Sequence, residues 1–308
     1  MAPQEISTEF PSTKQRVSVL DSSMAYIDTG APTLTSPTVV FVHGNPTSSY
    51  IWRNIIPHLS PIARCIAPDL VGFGDSGKMP SNTYRVRDHI RYFDAFMETV
   101  IGGSRDQNIF LVVQDWGSAL GLNWASHNEE RVAGLTFMEF LLAGRKLEDL
   151  RGAATIFRDF RTGDVGRRLI IDENVFVETI LAKVGVARGL TEAEMSHYRA
   201  PFLDPADREP IYRFPNEIPF DGHPADVAEL VEAYFVWLKT TSVPKLMFWG
   251  DPGAIVSVEM AEELAGQMKN VKSVGISPGR HYLQEDDPHL IGRVTKEFVE
   301  QVWTAKKK

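Results

Sequence analysis

The chain has 308 residues, of which 43% are hydrophobic and 23% charged, with a formal net charge of −8. That is enough chain to bury a large core and carry an inserted subdomain, while the acidic balance argues against a nucleic-acid partner, which calls for a basic face. A single cysteine excludes an intrachain disulfide, residues 1–10 lack the apolar core of a secretory signal, and no apolar run is long enough to span a bilayer; a cytoplasmic protein, monomeric or weakly self-associating, with no membrane partner, is expected.

Residues 16–19 and 24–27 read as two short opening strands, expected to pair antiparallel. The run 38–42 is apolar without interruption, as a strand covered on both faces must be. Residues 64–67 form the next strand, with Cys65 as a small core residue rather than a reactive thiol. Residues 109–113 are the clearest central strand, followed by 132–138, 245–249 and 271–276. Helical patterns, such as 87–100 and 117–126, lie between them. This alternation implies a mostly parallel, eight-stranded sheet with helices on both faces.

Between 141 and 221 the pattern changes to helices and loops. Residues 151–160 and 174–181 have helical spacing, and Thr191 with Glu194 reads as a capping box. Pro201, Pro205, Pro210, Pro215 and Pro219 are expected to break the chain repeatedly. The expected division is a core of residues 1–140 and 222–308, with 141–221 as a helical cap over the C-terminal edge of the sheet. Open α/β sheets place their sites at that edge. The basic tail, Lys306, Lys307 and Lys308, reads as solvated.

Val113-Gln114-Asp115-Trp116-Gly117 follows the best strand and opens a helix, which is the setting of a nucleophile elbow. The usual serine position holds Asp115, a carboxylate that can attack carbon to form an ester. On its own, Asp115 is equally readable as a helix N-cap. The loop His43-Gly44-Asn45-Pro46 follows the strand 38–42. In the α/β-hydrolase fold such a loop supplies one backbone N–H of the oxyanion hole, and the residue after the nucleophile supplies the other; here these are Asn45 and Trp116. Their side chains add an amide and an indole N–H, neutral donors suited to a small anion.

His281 follows the last strand on a glycine-containing loop, where this fold carries its general base. The other histidines, His43, His58, His89, His127, His197, His223 and His289, fit that position less well. A base needs an orienting carboxylate. Glu139 ends the strand 132–138, and Asp251 follows the strand 245–249; Asp251 stands short of the usual acid position, where this chain has Gly253, so Glu139 is preferred.

From these segments the chain closely resembles the haloalkane dehalogenases, nearly end to end. The matching stretches run from His43 to Arg53, Pro68 to Gly77, Gln114 to Gly121, Phe137 to Glu139, and His281 to Asp286. Within that family it is similar to the subgroup with a Glu acid after the sixth strand and an Asn as second halide donor. The resemblance implies Asp115 as nucleophile, His281 as base, Glu139 as acid, and Asn45 with Trp116 as the halide-binding pair. It implies hydrolysis of haloalkanes to alcohol, halide and a proton, with water as co-substrate and no cofactor or metal. Phe176, Ile218, Ala254 and Ile255 are expected to line the pocket. Residues 174–178 and 214–219 are family-like, whereas 181–188 lacks the expected Leu-Pro.

Three other readings stay open on the same fold. An epoxide hydrolase would use two cap tyrosines, for which Tyr198 and Tyr212 are available. A coelenterazine-type luciferase shares the same motifs. A non-enzymatic small-molecule receptor would have little use for an intact Asp115, Glu139 and His281.

Overall fold

The apolar runs become the strands of one eight-stranded sheet in the computed structural model, which describes residues 5–10, 13–102 and 108–306. Lys307 and Lys308 of the basic tail, and residues 1–4, lie outside the described residues. The strands are β1 (Gln15–Val19), β2 (Ser22–Asp28), β3 (Thr38–Val42), β4 (Arg64–Pro68), β5 (Ile109–Asp115), β6 (Val132–Phe140), β7 (Lys245–Pro252) and β8 (Val271–Gly279). Their order is β1-β2-β4-β3-β5-β6-β7-β8. β2 runs antiparallel to both β1 and β4, and the remaining pairs are parallel.

Burial follows position in the sheet. Every residue of β3, β5 and β6 is buried, whereas the edge strands β1 and β8 alternate or face water. Helices on both faces are what make the central strands continuously apolar. The helix Trp116–His127 packs directly on β3 and β5 because two glycines let it approach. A Cβ at Gly117 would lie 2.1 Å from the Val42 carbonyl oxygen, and one at Gly121 would lie 2.6 Å from a Val113 methyl.

β6 carries an irregularity that the site uses. Gln114 pairs with Met138 and Asp115 pairs with Phe140, so Glu139 is an extra residue in the ladder. Its φ of 40° is unusual for a side chain with a Cβ. Such a bulge re-aims a side chain beside a site.

Among the described residues, 141–221 contain helices and turns and no strand. The capping box forms as expected, with the Thr191 hydroxyl and the Glu194 carboxylate each taking the other's backbone N–H. The proline expectation needs a correction. Pro210 and Pro215 both lie within the helix Glu209–Glu217 rather than breaking it. Pro210 is in the first turn, where no N–H is needed. Pro215 is internal, and it withholds the N–H that the carbonyl of Ile211, four residues earlier, would otherwise accept. That free carbonyl is used at the site below. The segment 174–184 also differs from an ordinary α-helix: Phe176–Val184 is a wide helix closed by Gly185 N–H donating to the Ile180 carbonyl at 2.7 Å. Among the described residues no helix is long and apolar enough to cross a membrane.

Candidate active site

Asp115 ends β5 with φ 50° and ψ −131°, a strained conformation that lifts its side chain out of the sheet edge. The small residues after it allow the turn. Its Oδ2 accepts the backbone N–H of Asn45 at 2.7 Å, and the backbone N–H of Trp116 also bonds the carboxylate. The two backbones that the sequence pointed to therefore converge on this carboxylate. Gly44 is glycine for a visible reason: a Cβ there would sit 2.3 Å from Oδ2. Burial pushes the Asp115 carboxyl above its ordinary range and the nearby Glu139 charge adds to this, while His281 and the two backbone donors pull the other way.

His281 and Glu139 come together beside it. His281 Nδ1 is 3.1 Å from Glu139 Oε2, and its Nε2 is 3.8 Å from Asp115 Oδ1. Burial lowers the imidazole, but the Glu139 hydrogen bond and the Asp115 and Glu139 charges outweigh it, so protonation is favoured above the ordinary value. Glu139 is fully buried and held by backbone donors. Ile255 N–H reaches Oε2 at 2.7 Å, Ala254 N–H is 3.2 Å from both oxygens, and Val256 N–H is 3.3 Å from Oε1. Asp251 lies elsewhere, exposed and accepting from the Ser277 hydroxyl at 3.1 Å.

The side chains of Asn45 and Trp116 are both buried. The Asn45 amide nitrogen donates to the Ile211 carbonyl at 3.3 Å, the acceptor freed by Pro215. One amide hydrogen is thereby fixed and the other remains. The Trp116 indole stacks on Phe214, with ring centres 4.9 Å apart and planes 16° apart. Phe214 in turn stacks on His89 and on Phe73. Burial lowers the His89 imidazole to about 3, so this wall is neutral.

The expected pocket residues scatter somewhat. Phe176 is buried against Phe160, with ring centres 5.4 Å apart, and Ile218 is half-buried with its carbonyl bonded by Arg161 at 2.7 Å. Ala254 is exposed and Ile255 half-buried; what the structure adds is their backbone contact with Glu139. Tyr198 and Tyr212 are not a pair facing Asp115. The Tyr198 hydroxyl donates to Glu285, and the Tyr212 ring lies under the Arg167 guanidinium, 5.1 Å away. That removes the feature on which the epoxide reading rested. Among the other histidines, His43 braces the loop: its Nδ1 contacts the Gly44 carbonyl at 2.8 Å and its Nε2 accepts from Leu70 N–H at 2.9 Å. Burial lowers it to about 4, keeping it neutral.

Several contributors were not singled out from the sequence. Gln114 touches His281. The Gly185 carbonyl accepts the backbone N–H groups of His281 and Tyr282 at 3.1 and 2.9 Å. The Tyr282 hydroxyl donates to the Asn45 carbonyl at 2.9 Å. Arg53 bonds Glu285 at 2.5 Å and Glu194 at 2.8 Å, and Arg188 bonds the same two carboxylates at 2.6 and 2.5 Å. Polar residues inside otherwise apolar runs, such as Gln114, were the available signal.

Chemically, the arrangement offers an ionised oxygen to an electrophilic carbon and a base able to deliver water to the resulting ester. A family model described as the alpha/beta hydrolase fold matches residues 37–288. A haloalkane dehalogenase from Mesorhizobium japonicum is 45% identical over 303 residues, 97% of this chain and 94% of that protein. One from Sphingobium indicum strain UT26 is 39% identical over 94% of this chain and 96% of that protein. The crystal structure of haloalkane dehalogenase DbeA from Bradyrhizobium elkani USDA94 superposes with a TM-score of 0.90, at 42% identity, covering 95% of this chain and 99% of that one.

Proposed function

The chain belongs to the haloalkane dehalogenase family of α/β hydrolases, and from that premise we propose how its residues share the work. It is a hydrolase of carbon–halide bonds, turning a haloalkane and water into alcohol, halide and a proton. Asp115 Oδ1 attacks the halogen-bearing carbon in line, and the carbon–halogen electron pair leaves with the halide. The Asn45 amide and Trp116 indole receive that halide as charge develops on it. The product is an ester on Asp115.

His281 then takes a proton from a water that attacks the ester carbonyl. The oxyanion forms on Oδ2, which already accepts the Asn45 backbone N–H, with the Trp116 backbone N–H also bonded to this carboxylate. Glu139 holds His281 by Nδ1–H and balances the imidazolium. The tetrahedral species collapses to release alcohol, and the proton passes to solvent. The observation that carries this reading is the division of one carboxylate: Oδ2 accepts the Asn45 backbone N–H at 2.7 Å while Oδ1 lies 3.8 Å from His281 Nε2.

In the same reading, 141–221 serve as a cap over the core 1–140 and 222–308, with Phe176, Ile218, Ala254 and Ile255 on the substrate pocket. Support comes from the contacts of Ile211, Phe214 and Gly185 with Asn45, Trp116 and His281. Small apolar halogenated substrates, water and halide are the expected partners, and the buried free thiol of Cys65 accords with a reducing cytoplasm. The test is halide release from 1-bromobutane. Asp115→Ala should abolish it, and His281→Phe should halt after the first step, with the alkylated protein visible by mass spectrometry. Halide release that survives Asp115→Ala would overturn the assignment.

A further inference from the structure

Gln114 occupies the last position of β5 before Asp115, fully buried in a strand that is otherwise apolar up to that point. A buried primary amide needs a reason, since each unpaired polar atom is costly. Its nitrogen lies 3.1 Å from His281 Nε2 and 3.2 Å from the His281 carbonyl oxygen. Its oxygen is buried with no protein partner among the described residues.

These contacts orient the amide. A carbonyl oxygen only accepts, so the group facing it must be the NH₂ end. One amide hydrogen serves the carbonyl and the other points at Nε2. Glu139 already takes the Nδ1–H, so Nε2 presents a lone pair to this hydrogen. A protonated Nε2 would instead bring two N–H groups head to head.

This matters because of what else faces the ring. Asp115 from β5 and Glu139 from β6 are both carboxylates, and the Tyr282 hydroxyl is turned away to the Asn45 carbonyl. The segment packed over the ring contributes the Gly185 backbone, and the Arg280 guanidinium is directed to the Lys183 and Val184 carbonyls. Flanked only by negative charge, an imidazole defaults to imidazolium. That form cannot accept the water proton, and it would bind the carboxylate that must stay free to attack.

We propose that Gln114 is a positioning residue that holds His281 in its neutral, Nδ1-protonated tautomer between the two carboxylates. It does so by occupying the Nε2 lone pair in the resting protein and yielding it to water once Asp115 is esterified and uncharged. The proposal rests on the roles given above to Asp115 and His281.

Gln114→Met keeps the length and removes the donor. The single-turnover rate of ester formation on Asp115, read as halide release from the resting protein and followed against pH, should show its acid-side midpoint raised by about half to one pH unit, the worth of one neutral hydrogen bond. An unchanged midpoint, even with lower stability, would overturn the proposal, because a merely structural role moves folding and not titration. A second measurement needs no variant. In the intact protein labelled with ¹⁵N-histidine, the His281 Nε2 resonance should be that of an unprotonated, hydrogen-bonded nitrogen wherever the enzyme turns over. A protonated Nε2 in that range would also overturn it. Failure of the underlying reading is separate: it would appear as halide release independent of Asp115, with the ring resonance unaffected.

Discussion

Glu139 and His281, 142 residues apart, meet at 3.1 Å because a one-residue bulge turns the end of β6 toward the loop after β8. Without the extra residue, strand alternation would carry the Glu139 side chain to the opposite face. Three backbone N–H groups then fix the carboxylate, so the His281 imidazole is oriented by a group that cannot rotate away. The positive φ of Asp115 and of Glu139 marks strain at both ends of this arrangement.

Gly44→Ala places a methyl group 2.3 Å from Asp115 Oδ2 and 2.6 Å from its Cβ. The carboxylate must shift off the Asn45 N–H. We expect kcat/KM to fall at least about 100-fold, since small misplacement of reacting atoms is costly, with a stability loss of about 1–3 kcal/mol. Steady-state kinetics beside a thermal melt separates the two effects, and near-normal kcat/KM would contradict the geometry.

Pro215→Ala restores an N–H that can reclaim the Ile211 carbonyl within the helix. The Asn45 amide then loses the acceptor that orients it. Halide affinity, read from quenching of tryptophan fluorescence, is expected to weaken roughly 2- to 10-fold, the worth of one hydrogen bond, with folding stability unchanged or higher. Unaltered halide affinity would detach Pro215 from the site.

The pH dependence follows from two groups. His281 must be neutral to accept the water proton, and its imidazole lies above the ordinary 6.5. Asp115 must be ionised, and its carboxyl is also raised. Both requirements fail as pH falls, so the loss is on the acid side. The value of kcat/KM, which reads the resting protein, should drop through a midpoint above the ordinary imidazole value. A midpoint below it would mean that the Glu139 and Asp115 charges do not dominate the ring.

Glu285→Leu leaves a fully buried Arg53 with Glu194 as its one remaining carboxylate partner and removes an acceptor from Arg188 and from the Tyr198 hydroxyl. Breaking a buried ion pair by one partner costs about 3–5 kcal/mol, so the denaturant midpoint should move by a matching amount. A change under about 1 kcal/mol, typical of exposed pairs, would show that the network is screened.

The central sheet was legible in the sequence because β3, β5 and β6 are covered on both faces and must be apolar throughout. Asp115 was legible from strand, turn and small neighbours, and Glu139 from its place at a strand end. Gln114, Gly185 and Glu285 were not, because their partners lie 96 to 232 residues away in register with no local period: Gln114 meets His281, Gly185 meets His281, and Glu285 meets Arg53. Pro215 was misread for a related reason. Local rules count the lost helical hydrogen bond, whereas the freed carbonyl finds use only through Asn45, 166 positions from Ile211.

The Gly185 carbonyl, by gripping the main chain of His281 and Tyr282, yokes diet to tempo. Residues 181–188 lack the Leu-Pro expected from the resemblance, and Gly185 among them holds the loop that carries His281. In the reading proposed above, a change to this stretch acts on substrate fit and on the placement of the His281 ring together. Grafting the stretch from a relative is therefore a transplant of rhythm as much as of appetite.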